Sequence, residues 1–363
     1  MSEASEGRME TVVLAGGVAL GAYQGGALEA MAEAQVRPAW IAATSIGGVN
    51  GAILLGGPRE DAAARLKAFW DAASFSPPVP RPSAVGWTGP DWMERALGLA
   101  SAAQTHLAGN PGLFRPRVPP TTDSGGVPSL YDNAPLRRLL ERSVDFDRLN
   151  DGAVRFTLLA VDVATGEEVV FDTAAGDRIG ADHLIAASGL MPDFAPVAVA
   201  GRVLGDGAFR HNAPLHLVLG DPQARRRDLR CLVLDLFAVD GARPGSLGAA
   251  AERRLDLLFG GQTASILEAA GREDRLRRLI GRLAGDDEAA RREAVTGDRL
   301  VVHMAYRNDG REAYSEKMFD FSRAMLDARW DRGRQDMAAA LAVPGGAAGL
   351  TVVRVREGRA AAA

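Results

Sequence analysis

The sequence predicts an α/β protein built on a mainly parallel sheet, and three observations carry that expectation. Thr11-Val12-Val13-Leu14-Ala15 is a short apolar run that enters glycines and then a helical stretch. Trp40-Ile41-Ala42-Ala43 repeats the plan, passing through Thr44-Ser45 into a Gly-rich amphipathic segment. Short β-branched or apolar runs that alternate with helical periodicity read as strand–turn–helix units of a parallel sheet. Finally, 363 residues with 47% hydrophobic and 24% charged side chains suffice for one large domain, or for a domain with an extension.

Taken in order, the chain begins with a polar, acidic stretch, Met1 to Arg8, unlike a signal peptide. No apolar run reaches the ~18 residues that span a bilayer, so a cytoplasmic protein, at most peripheral to a membrane, is expected. The first loop, Gly16-Gly17-Val18-Ala19-Leu20-Gly21, precedes a helix through Tyr23, Leu28 and Met31 that Pro38 ends. Backbone N–H groups at such a loop can hold an anion. A dinucleotide site wants G-x-G-x-x-G and an acidic residue about 20 positions on, and a P-loop wants Gly-Lys-Ser/Thr. Neither is present, so a phosphate cradle is disfavoured.

The second unit is more specific. In Ala43-Thr44-Ser45-Ile46-Gly47-Gly48 a serine stands among small residues between strand and helix, as in a nucleophile elbow. The alternative is an ordinary turn in which Ser45 caps the helix. Parallel neighbours would bring both loops to one sheet edge, where N–H groups of the Gly16–Gly17–Val18 loop could form an oxyanion hole for Ser45.

Ala62 to Ala73 reads as a helix with Leu66, Phe69 and Trp70 on its inner face. Residues 75–128 are rich in Pro and Gly and carry Trp87, Trp92, Leu97, Leu99 and Leu107 on a short helical piece; either a flap beside the site or a mobile insertion with a few core contacts is expected. Ser129 to Leu136 opens another helix, capped near Asp132 or Asn133. Phe156–Val163 and Glu168–Phe171 form a hairpin, Asp182–Ser188 a short helix, and Val197–Val199 with Val203-Leu204 a second hairpin. The latter delivers the chain to Gly205-Asp206-Gly207-Ala208. An aspartate between glycines is a common turn former, or else a carboxylate that flanking glycines leave open to a hydroxyl. Then come a strand at Cys231–Leu236, Arg-rich helices from Gly248 to Arg292, a strand at Leu300–Tyr306, a helix from Glu316 to Leu341 and a frayed tail.

Composition narrows the function. A net charge of −4 lacks the basic field of a nucleic-acid binder. Lys67 and Lys317 are the only lysines, and the abundance of Arg and Ala points to a GC-rich bacterial genome. Cys231 is alone, which excludes a disulfide framework and a Cys-based zinc site and suits a buried strand. None of the five histidines is spaced for a metal, and no cofactor is expected.

Three motifs in order, Gly16–Gly21, Ala43–Gly47 and Asp206-Gly207-Ala208, resemble the glycine-rich loop, the G-x-S-x-G elbow and the D-G-G/A motif of the patatin-like phospholipase family, in particular its bacterial members with a helical C-terminal extension. Ser129–Leu136, Asn212–Leu215 and Phe319–Arg323 are similar to its bacterial branch as well. The resemblance implies a three-layer α/β/α patatin-like fold: a flexible N-terminus (1–10), a catalytic domain (11–216, with the 75–128 insertion), a mostly helical extension (217–345) packed on it, and a tail (346–363). It further implies a serine lipid acyl hydrolase whose Ser45 is nucleophile and Asp206 general base, with an oxyanion hole at Gly16, Gly17 and Val18. Ala43, Gly47, Gly48 and Gly207 shape the elbow and the aspartate turn. The resemblance implies an acyl ester or lipid as substrate, met by transient contact with a membrane surface. The sequence departs from the family at Val18, where a third glycine is usual, at Leu20, where many members have arginine, and at Ala43, where the elbow has its first glycine. A β-branched Val18 is expected to avoid positive φ. Two alternatives stay open: a Ser-Asp-His triad using His211, His216 or His303 in a general carboxylesterase or polyester hydrolase, and a non-catalytic binding protein on the same fold.

Overall fold

The computed structural model describes residues 7–75, 91–122, 126–308, 314–346 and 348–362. Its centre is a ten-stranded sheet flanked by helices in a three-layer α/β/α arrangement. The first strand-and-helix units are β1 (Met9–Leu14), α1 (Gly21–Glu33), β2 (Trp40–Thr44), α2 (Ile46–Leu55) and α3 (Ala62–Ala73). Next come α4 (Asp91–Ala108), β3 (Arg115–Thr122), β4 (Pro128–Asp132), α5 (Ala134–Ser143) and α6 (Phe146–Asn150). The chain continues through β5 (Arg155–Asp162), β6 (Glu168–Asp172), α7 (Ala181–Ala186), β7 (Val197–Val199), β8 (Arg202–Asp206), α8 (Leu215–Gly220) and α9 (Pro222–Arg225). The last part holds β9 (Leu229–Asp235), α10 (Leu247–Leu283), α11 (Glu288–Ala294), β10 (Arg299–Ala305), α12 (Arg323–Leu341), β11 (Leu350–Arg356) and β12 (Arg359–Ala362).

The sheet order is β12-β11-β10-β9-β1-β2-β5-β8-β7, with β6 added to β5. Every pairing from β11 through β5 is parallel, and antiparallel strands close both ends. Parallel strands covered on both faces need continuous apolar runs, and β1, β2, β5, β9 and β10 are buried along nearly all their length.

The register of β5 explains how distant segments meet. Ala160 pairs with Val169 of β6 on one side and Asp206 of β8 on the other, while Leu159 pairs with Val170 of β6 and Thr44 of β2. Thus β2 and β8 run head-on along the same edge of β5, and their ends, Thr44 and Asp206, face consecutive residues. One backbone holds both ends in place.

Several sequence expectations are corrected. Met9 and Glu10 are part of β1, and Glu10 pairs with Arg230 at 2.7 Å, so the flexible stretch does not extend to residue 10. The helical piece of the insertion is an 18-residue helix followed by a strand that pairs with β4. Described residues of that insertion are pinned to the core: Ser101 Oγ donates to Asp320 Oδ1 at 2.9 Å and Asn110 Nδ2 to the Ala73 carbonyl at 2.7 Å. Residues 1–6, Trp87 and Ala363 lie outside the described residues. Pro128–Asp132 is strand, and α5 starts only after Asp132 Oδ1 has accepted a bond from the Ala134 N–H. A 3₁₀ turn occupies Tyr314–Phe319, and α12 begins at Arg323.

The tail is not frayed: Leu350–Arg356 is a β-branched run that adds to β10, and β12 folds back on it. In the segment after residue 216, β9 lies between β1 and β10 and so continues the same sheet. No helix among the described residues is long and apolar enough to cross a membrane.

Candidate active site

Ser45 is the single residue between β2 and α2, with φ 55° and ψ −130°. A non-glycine residue in that region carries strain of roughly 1–3 kcal/mol, held there by the packing around it. The turn directs the serine outward. Its side chain makes no helix-capping bond, so the simple capping role does not apply. Instead it lies close enough to the carboxylate of Asp206 to favour its charged form. Ser45 is also at the positive end of α2, which favours negative charge beside it.

The small residues of the elbow have separate reasons. A Cβ on Gly47 would stand 2.4 Å from the Leu14 carbonyl oxygen, a backbone atom that cannot swing aside. At Gly48 the conflict is with Leu158 Cδ1, at 2.5 Å. Ala43 lies inside β2, opposite Leu14 and Leu158 and fully buried, where a methyl group fits; the departure from glycine is harmless because the residue precedes the turn. Behind the elbow, Asn50 donates to Gln24 Oε1 and accepts from Trp70 Nε1, both at 3.0 Å, and Gln24 donates to the Ala15 carbonyl at 2.8 Å. This buried network ties α1, α2 and α3 to the end of β1.

Asp206 ends β8 with only 1% of its surface exposed. Burial pushes its carboxyl up to about 6, against the opposing pull of the nearby Ser45 side chain and the Ala208 N–H. The Ala208 bond, 2.8 Å to Oδ1, fixes the carboxylate. Gly207 lets the chain cross β5 here, since a Cβ would meet the Leu159 carbonyl oxygen at 2.5 Å.

The Gly16–Val18 loop lies against this pair. A Cβ on Gly16 would be 2.9 Å from Ser45 Cβ and 2.7 Å from Asn212 Oδ1. Gly16 itself is not a free donor, which corrects one expected member of the oxyanion hole: its N–H donates to the Asn212 carbonyl at 3.1 Å. Asn212 Nδ2 returns a bond to the Gly16 carbonyl, also at 3.1 Å, closing a two-bond clamp. Among the described residues, no acceptor takes a hydrogen bond from the N–H of Gly17 or Val18. Val18 has φ 52°, contrary to the expectation that a β-branched residue avoids that region. The loop geometry prevails over side-chain preference, at a local cost of about 1–3 kcal/mol. Leu20 is fully buried in the core.

Two residues that carry this arrangement were not singled out by sequence reasoning. Asn212 follows Asp206 by six residues, in a stretch whose composition does not mark it as functional. Gln262, on α10, accepts from the Asn212 N–H at 2.7 Å and donates to the Ala208 carbonyl at 3.3 Å, linking loop and aspartate turn. Its place 56 residues after Asp206 gives no local signal.

The histidines lie apart from the Ser45–Asp206 pair in their bonding. His211 Nε2 is 3.2 Å from Glu168 Oε1 and His216 Nε2 is 3.1 Å from Glu168 Oε2, whereas His303 Nε2 is 3.4 Å from Asp235 Oδ2. Burial is the leading cause that lowers the His211 and His216 pKa values. The fold brings Glu168, His211 and His216 together, although their spacing in the sequence has no metal-site pattern.

From Ser45 an apolar pocket opens between Val18, Ile46, Val49, Leu113, Phe114, Leu136, Leu190, Phe194 and Phe321. Phe114 packs on Tyr131 and Phe194 with ring centroids 4.9 and 5.1 Å apart. The insertion and the segment before α12 thus build its wall.

Residues 12–219 match the family model described as patatin-like phospholipase. Among solved structures the chain is similar to VipD from Legionella pneumophila, at 12% sequence identity and a TM-score of 0.36, the match covering 89% of this chain and 67% of that one. Among curated proteins none matches.

Proposed function

The chain belongs to the patatin-like phospholipase family, and on that footing we propose that it is a serine lipid acyl hydrolase in which Ser45 and Asp206 form a catalytic dyad. The observation that carries the reading is the contact between a strained elbow serine and a buried carboxylate, at the mouth of an apolar pocket. Asp206 accepts the Ser45 proton as Oγ attacks an ester carbonyl. The resulting oxyanion is held by the Gly17 and Val18 N–H groups and by the positive end of α2. Asp206 then returns the proton to the departing alcohol. Water, deprotonated by the same carboxylate, hydrolyses the acyl-enzyme.

A carboxylate at its ordinary pKa is a weak base, and burial makes Asp206 a stronger one. The apolar lining supports a hydrophobic acyl group next to Ser45. For surface contact we assign α4, where Trp92, Leu99 and Leu107 are exposed by 67%, 55% and 82% and lie seven and eight residues apart on one helix face. Leu113 and Phe114, just beyond this helix, reach the pocket, so a lipid met by α4 has a short path to Ser45. Location in the cytoplasm, at the periphery of a membrane, accords with this scheme.

A panel of fatty-acyl esters and phospholipids, assayed with wild type and Ser45→Ala, tests the reading. Hydrolysis by wild type that the variant loses is expected; equal turnover by both would overturn it.

A further inference from the structure

We propose that Glu168, His211 and His216 form a binding site for a divalent transition metal of the zinc class, which ties the loop after Asp206 to β6. One ligand atom from each side chain lies within 4.8 Å of the other two. The two Nε2 atoms are 3.2 and 3.1 Å from the two oxygens of the Glu168 carboxylate. A tetrahedral ion with ligand bonds of about 2.0–2.1 Å sets its ligands roughly 3.3–3.4 Å apart. Each imidazole thus stands about one ligand–ligand spacing from a Glu168 oxygen, and small side-chain rotations would bring all three onto one ion. Two imidazoles and one carboxylate are a donor set that suits zinc or cobalt and is too rich in nitrogen for calcium or magnesium.

The rings stand side by side, with centroids 4.0 Å apart, and Nδ1 of both is enclosed and has no hydrogen-bond partner among the described residues. Nε2 is then the nitrogen that each ring offers. All three side chains are about one quarter exposed, at 23–29%, which leaves an ion an entry path and a fourth position for water. The placement gives the site a consequence. Glu168 pairs with Val161 on one edge of β5, and Asp206 pairs with Ala160 on the other. Residues 207–211 cross β5 between them, and the His211 carbonyl accepts from Thr44 Oγ1 at 3.3 Å, next to Ser45. An ion would fasten this crossing. Arg210 is the opposing charge, close enough to act on both imidazoles.

The test uses tag-free full-length protein stripped with a chelator and titrated with Co²⁺, followed by competition with Zn²⁺. One Co²⁺ per chain is expected, with the visible absorption of a four-coordinate site, and Zn²⁺ should displace it. Glu168→Gln and His216→Gln should each weaken binding at least tenfold, and Arg210→Ala should tighten it. Thermal melting with Zn²⁺ should rise for wild type and stay level for His216→Gln. No saturable Co²⁺ or Zn²⁺ binding to wild type below millimolar concentration would overturn the proposal, as would unchanged affinity in both ligand variants. The wild-type titration decides the matter even if a variant fails to fold.

Discussion

Replacing Asp206 with asparagine should stabilise the fold at alkaline pH while abolishing turnover. Asparagine keeps an oxygen to accept from the Ala208 N–H, 2.8 Å away in the wild type, and removes only the buried charge. The carboxyl of Asp206 is pushed by burial from an ordinary 3.8 up to about 6. The native state therefore holds a proton that the unfolded chain has already released, and in that window stability falls as pH rises. Below about pH 4 both states are protonated and the carboxyl has no net effect. Above about pH 6 both are ionised, and the native state carries the full penalty, about 3 kcal/mol for a gap of this size. Urea denaturation of wild type and Asp206→Asn, followed by tryptophan fluorescence in steps from pH 4 to 8, measures it. The variant should be more stable by about 3 kcal/mol at pH 8, with the difference shrinking towards zero near pH 4. In parallel, wild-type kcat/KM should fall as Asp206 is protonated below about 6. A difference independent of pH, or a variant less stable at pH 8, would refute the burial argument and with it the strengthened base.

Other perturbations probe the surrounding parts. Gly47→Ala should cost about 3 kcal/mol or more and at least a hundredfold in kcat, because its methyl would meet the Leu14 backbone and lift α2 with Ser45; chemical denaturation and ester hydrolysis report both. Asn212→Ala opens one side of the Gly16 clamp, so kcat should fall by roughly tenfold with a stability loss of about 1–2 kcal/mol; an unchanged kcat would show that the loop holds itself. Leu190→Trp should narrow the pocket, raising KM for long acyl chains and sparing short ones, as read from a chain-length series of esters.

The sequence exposes those parts of the fold in which local chemistry dictates local structure. Strand, small residues and serine in Ile41–Gly48 announce an elbow because no larger side chain fits where Gly47 meets Leu14. Asp206 is legible only as a turn residue until the register of β5 brings it to Ser45. Long-range partners leave no such trace: the Gln262 bonds to Asn212 and Ala208 depend on where α10 packs. Val18 shows the opposite failure, since side-chain preference predicts a negative φ and tertiary packing imposes 52°. The C-terminal strands were missed although Leu350-Thr351-Val352-Val353 has strand character, because an Ala/Gly-rich stretch and interspersed arginines obscure it. The convergence of Glu168 with two histidines is hidden in the same way, by the 42 residues between Glu168 and His211.

The dyad itself is tested most directly by the site and rate of covalent labelling with a fluorophosphonate, located by peptide mass spectrometry. One adduct per chain is predicted on Ser45, formed slowly in Asp206→Asn and at the wild-type rate in His303→Gln. Folded protein that is not labelled, or is labelled elsewhere, or whose Ser45 reacts as fast without the Asp206 carboxylate, would contradict the account.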